Sequence, residues 1–497
     1  MKRSKFSLSN YKLFSCNMGN LIPCGLLEVL PGDTIQQSTS ALIRCSPLLT
    51  PVMHPVHVRI HHWFVPHRLL WEDWESFITG GEDGMDNSEF PTIEFSSMPT
   101  GSLGDYLGIP NITVPTKVSA LPFRAYNLIW NEWYRDQDLQ TPKDISTESG
   151  PDTVTETDLL RCAWEKDYFT SARPWEQKGP AVTIPLGTTA PVTGIGKTSR
   201  SFIGTGGNFW ETGDTAAPTF YQNYTPIDNA TANFQFGVRG TAATNGSPDI
   251  QADLSQASAI TINLLREAFS LQRFEEARAR YGSRYVEYLR YLGVRSSDAR
   301  LQRPEYLGGG KQTIQFSEVL QTAEGESPVG EMRGHGIGAM RSNRYRRFIE
   351  EHGYIITMMS VRPKTMYMEG LARTWNRRNK EDFWQKEFQH IGQQEILNKE
   401  LFLVHTNPEG TFGYQDRYDE YRRQESTVAG EFRTSLLNDW HFARSFGSNP
   451  ALNADFVECV PTERTFADTT SDVLRVMANH SIQARRLVAP VGSSFIF

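Results

Sequence analysis

Short alternations of apolar and polar residues, punctuated by proline and glycine, fill the first part of the chain. Residues 20–66 consist of such segments, which are typical of strands joined by turns. The run VHVRIH at 56–61 alternates strictly. A period of two places its three aliphatic residues on one face and the three polar residues, His57, Arg59 and His61, on the other. This pattern predicts a half-buried strand with a basic face.

Strand-like segments recur along the rest of the chain. They lie at residues 181–186, 312–319, 353–361 and 455–460. Many short strands with turn residues between them, and few long helices, favour a β-sandwich with decorations.

Four segments have the spacing of amphipathic helices. Residues 70–78 place two tryptophans, Leu70, Phe77 and Ile78 on one stripe, and Gly80-Gly81 then provides a stop signal. The other three predicted helices cover residues 123–135, 262–280 and 285–292. The second of the four would turn Leu128, Ile129 and Trp133 inward. The third would carry an apolar stripe near one face, with the residues Leu264, Leu265, Ala268, Leu271 and Ala279.

One stretch, residues 187–259, differs in composition from its surroundings. Glycine, threonine, alanine, serine and asparagine dominate it, and charged residues are sparse. Such a composition buries little apolar surface. A structureless loop of this length is improbable within a compact domain. We therefore expect either disorder or a projection that is stabilised by something outside its own chain.

Composition narrows the class of protein. The 497 residues carry a net charge of −7 and 11% aromatic residues. The length allows two or three domains, or one domain with large insertions, and the acidic balance excludes a simple basic nucleic-acid coat. Five scattered cysteines without a CxxC pair predict buried thiols rather than a zinc ribbon or a disulfide scaffold.

Targeting signals are not evident in the sequence. The basic start is not followed by an apolar segment of the kind that a signal peptide has. The longest apolar run, at about 354–361, is far shorter than the ~20 residues of a membrane span. We expect a soluble protein without a membrane span, used in a cytosol.

Motifs for catalysis or metal binding are incomplete. Gly194–Thr198 resembles the end of a phosphate-binding loop, but Pro191 stands where the first glycine is required. His57 and His61 would lie about 13 Å apart on a strand, too far to share a metal. The carboxylates near Glu72 and Glu275 favour solvated helix faces over acid–base pairs. We therefore predict no catalytic residue, no metal site and no cofactor.

Two basic clusters stand out in this acidic chain. The first lies at the N-terminus, and the second is interleaved with Tyr345. Their cations are Lys2, Arg3, Lys5 and Lys12 in the first cluster and Arg341, Arg344, Arg346 and Arg347 in the second. Cations beside aromatic rings suit single-stranded nucleic acid, whose phosphates meet charges while its bases stack. A solvated or salt-bridged surface is the alternative interpretation.

Several motifs, in a fixed order, resemble those of one known family. They are residues 17–23, 28–34, 56–68, 121–127, 135–139, 167–174, 302–309, 412–415 and 440–441. In this order they resemble the major capsid proteins of gokushoviruses, small single-stranded DNA phages of the Microviridae. The resemblance runs from about residue 17 to residue 466.

The resemblance implies a mainly β protein, an eight-stranded antiparallel jelly roll with long loop insertions and a few helices. It implies pentamers that form a T=1 icosahedral shell around a circular single-stranded DNA genome, with no enzymatic activity. The implied partners are an internal scaffolding protein, a small DNA-binding protein, a DNA pilot protein and a host surface receptor. The implied location is the virion, assembled in the host bacterial cytoplasm.

Combined with the residue patterns, the resemblance divides the chain into four parts. Residues 1–19 would form a basic N-terminal arm, residues 20–186 the first part of the jelly roll, and residues 187–259 a threefold spike used in host attachment. Residues 260–497 would complete the jelly roll, with helical loops and a C-terminal tail. Ordering so much loop costs ~1–2 kcal/mol per residue, which burial against neighbouring copies would offset.

The basic clusters would then face the genome. Lys2, Arg3 and Lys5, on a flexible arm, are the strongest candidates, followed by Arg344, Arg346 and Arg347, with Tyr345 available for stacking. The polar face of the strand at 56–61 is a weaker candidate. Two other functions stay open at this point, a standalone single-stranded DNA-binding protein and an aromatic-rich carbohydrate-active β-sandwich enzyme.

Overall fold

The fold is described from a computed structural model. The structure describes residues 3–182, 192–193, 251–252, 262–282, 284–322 and 328–490. It divides into two compact units, one formed by Met1–Lys178 with Glu276–Phe497 and the other by Gly179–Glu275. In the second unit, Val192–Thr193 pairs antiparallel with Gln251–Ala252, so the two ends of the intervening segment lie side by side.

Sixteen strands and seven α-helices are assigned within the described residues. The strands are β1 Ser4–Ser7, β2 Asn10–Cys16, β3 Leu21–Val29, β4 Thr34–Cys45, β5 Val56–Pro66, β6 Thr92–Phe95, β7 Thr116–Ser119, β8 Val192–Thr193, β9 Gln251–Ala252, β10 Glu305–Leu320, β11 Met332–Arg341, β12 Tyr345–Phe348, β13 Gly353–Pro363, β14 Gln393–Leu397, β15 Thr411–Asp416 and β16 Leu474–Arg486. The helices are α1 Trp74–Thr79, α2 Leu103–Leu107, α3 Leu121–Ile129, α4 Ile262–Tyr281, α5 Tyr285–Tyr291, α6 Asn398–Leu401 and α7 Ala454–Val457.

The large antiparallel sheet has the connectivity of a jelly roll. β1 and β2 pair with β16 in one continuous register and act as a single broken strand, and β11 and β12 lie along the same edge of β4. Counted this way, eight strands follow the chain, and they form two sheets in the orders 1-8-3-6 and 2-7-4-5. We call these sheet I (β1/β2, β16, β4, β11/β12) and sheet II (β3, β13, β5, β10). β10 links them, because it pairs with β5 and then with β11. The predicted fold class is confirmed.

Alternating burial creates the apolar core between the two sheets. On β5, Val56, Val58 and Ile60 are almost fully buried, as the alternation at 56–61 predicts. On β16, every second residue from Leu474 to Ala484 points inward. At ~25 cal/mol per Å², burial of this face on every strand is the main force that holds the sandwich together.

A polar layer crosses the interior of the sandwich. The His62 ring contacts the hydroxyls of Thr357 and Ser342 at 2.9 and 3.0 Å. On sheet I, the His480 ring contacts the Thr39 hydroxyl at 2.9 Å and the carbonyl of Cys24 at 3.0 Å. Burial lowers the pKa of His62 to about 3 and also lowers the pKa of His480. Both imidazoles are therefore neutral at pH 7.

The outer face of sheet II is covered by the chain that follows β5. α3 packs there, through Phe123 and Tyr126, against Trp63, Ile356 and Met358. A buried ion pair reinforces this layer, because the Arg124 guanidinium donates at 2.7 Å to Asp152, and both side chains are fully buried. The cover lies in the first of the two long insertions between jelly-roll strands, residues 67–304 and 364–473.

The four helix predictions fare differently. Helices at 262–281 and 285–291 are confirmed, and the one predicted at 123–135 is an α-helix to Ile129 that continues as a π-helical turn to Tyr134. The first helix begins only at Trp74 and ends at Gly80, whose φ is +85°. The apolar stripe of α4 is only partly buried, because Leu264 and Leu271 are about half exposed.

Two strand predictions, at residues 455–460 and 181–186, are not confirmed. The one at 455–460 is wrong, because residues 454–457 form the short helix α7. The Asn453 side chain accepts a hydrogen bond from the amide of Phe456 at 2.9 Å and so caps the helix, a signal that outweighed the apolar spacing. Residues 181 and 182 are not in a strand, and residues 183–186 lie outside the described residues.

The N-terminal segment differs from a flexible arm. From Ser4 to Cys16 it is the edge strand of sheet I, with Phe14 and Cys16 packed against the core. The amphipathic alternation of these residues matches the pairing with β16, which explains why the segment is ordered.

Other predictions concern cysteines and membrane spans. All five cysteines are free and buried, as predicted. Among the described helices, none combines the length and apolar character that crossing a bilayer requires.

Candidate nucleic-acid interface

The outward face of sheet I carries a row of cations. Along β16, the outward positions include Arg475 and Arg485, and β4 contributes Arg44. Arg344 lies over the same face, because its guanidinium reaches the hydroxyl of Ser481 at 3.5 Å. We call the whole set the cationic face: Arg3, Lys5, Arg44, Arg341, Arg344, Arg346, Arg475 and Arg485.

Strand register brings like charges into direct opposition on this face. Arg475 pairs across the sheet with Arg44, and Arg485 pairs with Lys5. Directly opposed residues of antiparallel strands have Cβ atoms ~4.5–5.5 Å apart, so like charges there destabilise the sheet. Two such pairs of like charges on one face each lower the stability of the sheet. Their presence points to an anionic ligand that neutralises the cations.

Carboxylates are missing from the same face. The outward positions of β1/β2, β16, β4 and β12 are otherwise Ser, Thr, Gln, Asn or apolar residues. At the start of β11, the outward side also carries His335 and Arg333, and Arg333 is paired with Glu331. Asp472 lies just before β16, at one end of the face, where it accepts a hydrogen bond from Ser15. Within the described residues, none of the eight cations forms an ion pair, whereas many other arginines do, such as Arg68 with Glu351 and Arg373 with Glu400.

Exposed rings and apolar side chains accompany the cations. Tyr11 is 70% exposed and Phe348 is 51% exposed, and both lie on this face by their register. The Arg3 guanidinium lies 5.6 Å from the centroid of the Phe348 ring. Cations that track a backbone beside rings that stack on bases are the usual means of binding single strands without reading their sequence.

The structure separates the residues predicted to bind nucleic acid into three groups. Arg3, Lys5, Arg344 and Arg346 lie on the cationic face. Lys2 lies outside the described residues. Tyr345 and Arg347 face away from it.

Tyr345 points into the sandwich. It is buried, and its hydroxyl donates at 2.7 Å to Gln37, so it is not available for stacking on a base. Burial raises the pKa of this phenol. Arg347 is turned away as well and forms an ion pair with Glu305. The alternation of β12 explains both placements, because Arg346 takes the outward position between them.

The weaker candidates on β5 meet their own chain. Arg59 donates at 2.8 Å to Glu165, and the His61 ring contacts the Tyr134 hydroxyl at 2.7 Å. Burial lowers the pKa of His61 to about 4, so this ring is neutral at pH 7. The polar face of this strand is therefore part of an internal contact rather than an open surface.

Sequence reasoning missed Arg44, Arg475 and Arg485 as members of the site. The signal was present, since LRVMANHSIQARR at 474–486 alternates with a period of two. What the sequence could not give is the partner of that strand, because the pairing joins residues more than 400 positions apart.

A second region rich in charge is a cavity of about 620 Å³ in the 364–473 insertion. At its wall, Arg373 lies 3.1 Å from Glu400 and 3.8 Å from Glu420. Burial raises the pKa of Glu400, which also receives a hydrogen bond from Tyr168. The Arg373 guanidinium thus pairs with the carboxylates of both Glu400 and Glu420. This arrangement stabilises the 364–473 insertion. Among the described residues, no cluster of three or more acidic, histidine or cysteine side chains is placed to hold a metal ion.

Comparison with known proteins places these features in a family. A family model described as "Capsid protein (F protein)" matches residues 1–494. The chain is 37% identical over 497 aligned residues to capsid protein VP1 of Bdellovibrio phage phiMH2K, with 95% of this chain and 90% of that protein covered. It is 34% identical to capsid protein VP1 of Chlamydia phage 1 (94% and 91% covered) and 31% identical to that of Spiroplasma virus 4 (95% and 90% covered).

Proposed function

Since the chain belongs to the family of phage capsid proteins described as F proteins, we propose that its copies assemble as pentamers into a T=1 icosahedral shell. The shell would enclose a circular single-stranded DNA genome. Membership of the family makes this chain a phage capsid protein. It therefore favours a shell-forming function over the two alternatives, a standalone DNA-binding protein and a carbohydrate-active enzyme. The number of copies and the form of the genome are part of the proposal.

The observation that carries the proposal is the cationic face. Eight cations without an ion pair among the described residues occupy one side of sheet I, while helices and loops cover the outer side of sheet II. A shell that packages DNA requires local cations on its inner surface, because the chain as a whole is acidic. We therefore propose that sheet I lines the interior and contacts the phosphates of the genome.

Exposed apolar side chains support association between copies. The 364–473 insertion exposes large hydrophobic residues at many points, among them Trp375 at 70%, Val404 at 79% and Leu436 at 71%. Exposed apolar surface of this kind marks contacts with other proteins. Neighbouring subunits would cover it in a shell.

The 187–259 segment is proposed as the threefold spike used in host attachment. Support comes from the pairing of residues 192–193 with 251–252, which makes the segment leave and return at one place. Loops of this kind can carry recognition while the scaffold carries stability. A particle reconstruction with this segment on the inner surface would contradict the proposal.

The remaining partners belong to the same proposal. We propose an internal scaffolding protein, a small DNA-binding protein and a DNA pilot protein as virion partners, a receptor on the host surface, and assembly in the host bacterial cytoplasm. Support for these comes from family membership alone. Purified virions that lack all three proteins would contradict the first part.

Charge neutralisation on the cationic face tests its contact with DNA. In the variant K5Q/R44Q/R346Q/R485Q, removing four phosphate contacts should reduce the slope of log K against log salt for single-stranded DNA by about 3. The measurement is fluorescence anisotropy with a labelled oligonucleotide over a salt series. Without DNA the variant should be at least as stable as the wild type, because the opposed pair of Lys5 and Arg485 is gone.

A matched control separates this face from net charge. The variant K117Q/R378Q/K380Q/K386Q removes four exposed cations elsewhere and should leave the salt slope unchanged. An equal reduction in both variants, or none in the first, would contradict the assignment of DNA binding to sheet I.

A further inference from the structure

A second exposed surface lies at the end of the 67–304 insertion. α5 and the turn after it expose five large apolar side chains: Tyr285 at 66%, Tyr288 at 41%, Tyr291 at 49%, Leu292 at 54% and Val294 at 48%. Arg290, Arg295 and Arg300 are exposed among them. We call this set the tyrosine–arginine patch. Tyrosine and arginine, together with tryptophan, are enriched among the residues that contribute most of the binding energy at protein interfaces.

The cations of this patch are not neutralised within the described residues. Arg290, Arg295 and Arg300 form no ion pair there, unlike nearby Arg303, which is paired with Asp298. The patch therefore offers apolar area and positive charge together. A surface of that character fits a partner that is apolar and negatively charged.

The same chain carries a surface of that complementary kind. Residues 72–89 contain seven carboxylates and no lysine, arginine or histidine. The segment also exposes Phe77 at 39%, Ile78 at 48% and Met85 at 75%. We call it the acidic lobe. Only Glu75 of the lobe has an ion-pair partner within the described residues, Arg68 at 3.8 Å.

We propose that the tyrosine–arginine patch of one copy docks on the acidic lobe of a second copy of this chain. Both surfaces are exposed in the single chain, so they do not cover each other within it. Because they are different surfaces, the contact is head-to-tail, and head-to-tail contacts close into rings when the rotation permits. The inference rests on the proposal that copies assemble, and it adds which surfaces meet.

Electrostatic and apolar contributions would differ in kind. The carboxylates and guanidiniums steer association and exclude wrong pairings, while the tyrosines supply most of the affinity once water leaves. Two lobes repel each other, and so do two patches, so copies of one chain can pair only patch to lobe at these surfaces. Charge complementarity therefore selects the acidic lobe of a second copy as the surface that binds the tyrosine–arginine patch.

Reversal of charge on each surface, alone and together, tests the contact. The lobe variant is E75R/E82R/E89R, chosen because Asp83 and Asp86 hold local turns through hydrogen bonds to Met85 and Ser88. The patch variant is R290E/R295E/R300E. Assembly is measured by sedimentation of full-length protein, coexpressed with the other virion proteins where these are required, under conditions in which the wild type forms particles or pentamers.

The lobe variant and the patch variant should each reduce the amount of assembled protein at least tenfold. The variant that combines all six substitutions should restore the amount of assembled protein to within threefold of the wild type. Thermal unfolding of each variant confirms that the subunit is folded. A control with three reversals outside both surfaces and outside the 364–473 insertion, E28K/D158K/E318K, should assemble like the wild type. The inference would be overturned if the lobe variant and the patch variant both assembled normally. It would also be overturned if the six-residue variant folded but did not recover assembly. Particles from the wild type in the same experiment would leave the shell proposal standing.

Discussion

At the scale of single residues, the burial of three histidines makes the stability of the folded chain sensitive to acid. His62 has a folded pKa of about 3, and His54 and His67 have pKa values of about 4, each lowered mainly by burial. Unfolding restores the ordinary value of ~6.5. The unfolded chain then binds more protons than the folded chain, so stability is complete above pH 6.5 and is lost as the pH falls toward the folded values.

Replacing one of these histidines tests this account. In H62Q the amide can keep a contact to one of the two hydroxyls but cannot titrate. Between pH 6 and pH 4 the free energy of unfolding falls as the pH is lowered in both proteins. The slope for H62Q should be smaller than that of the wild type by up to ~1.4 kcal/mol per pH unit. The measurement is urea unfolding at a series of pH values. Carboxyl groups contribute equally to both proteins, so equal slopes would contradict the assignment.

The residue scale also shows what sequence patterns could not reveal about the site. Alternation correctly assigned the inward residues of the strand at 56–61, but it could not show that Arg59 would meet Glu165. Tyr345 was grouped with its arginine neighbours because they are adjacent in sequence. In a strand, adjacent residues face opposite sides, and this turned the ring inward to Gln37.

At the scale of elements, the edge strand β1/β2 is the clearest departure from expectation. The composition of residues 1–19 predicts a basic arm. In the structure Lys5 takes an outward position, but Lys12 turns inward and donates to the carbonyl oxygens of Tyr106 and Pro23. Phe14 and Cys16, on the same side as Lys12, contact the core. A strand held by backbone pairing to β16 cannot follow a disordered genome, but it can present a fixed row of charges to it.

Truncation distinguishes a strand from an arm. Deleting residues 1–16 should lower the free energy of unfolding by more than about 3 kcal/mol, since burial of each large side chain contributes ~1.5–3 kcal/mol and the edge of β16 loses its partner. Urea unfolding of the full chain and the truncated chain measures this. Deleting residues 1–3 alone is the control and should change little. A truncated chain of unchanged stability would mean that the segment is a detachable arm.

Elements with a strong local signal were predictable, and those decided by distant partners were not. α4 and α5 follow their helical spacing, and β13 follows its apolar run. The strand predicted at 455–460 failed because a single side chain, Asn453, supplied a helix cap. Each of the two sheets joins strands that lie more than 300 residues apart in the sequence. The family resemblance implied a jelly roll but not the order of its strands, which the structure supplies.

At the scale of the whole molecule, the chain combines a jelly-roll scaffold with surfaces of opposite charge. One side of the sandwich presents cations without carboxylates, and the 72–89 segment presents carboxylates without cations. A subunit with such polarity is suited to a closed shell, in which one side meets nucleic acid and other surfaces meet neighbouring copies.

We propose that sheet I lines the inside of a DNA-filled shell, and a reconstruction of DNA-filled particles by electron cryo-microscopy would locate it. Arg44, Arg475 and Arg485 should face the interior, within contact distance of density for nucleic acid, in a T=1 shell with residues 187–259 on the outer surface. A map in which sheet I faces the exterior, or is buried between subunits away from the genome, would contradict it.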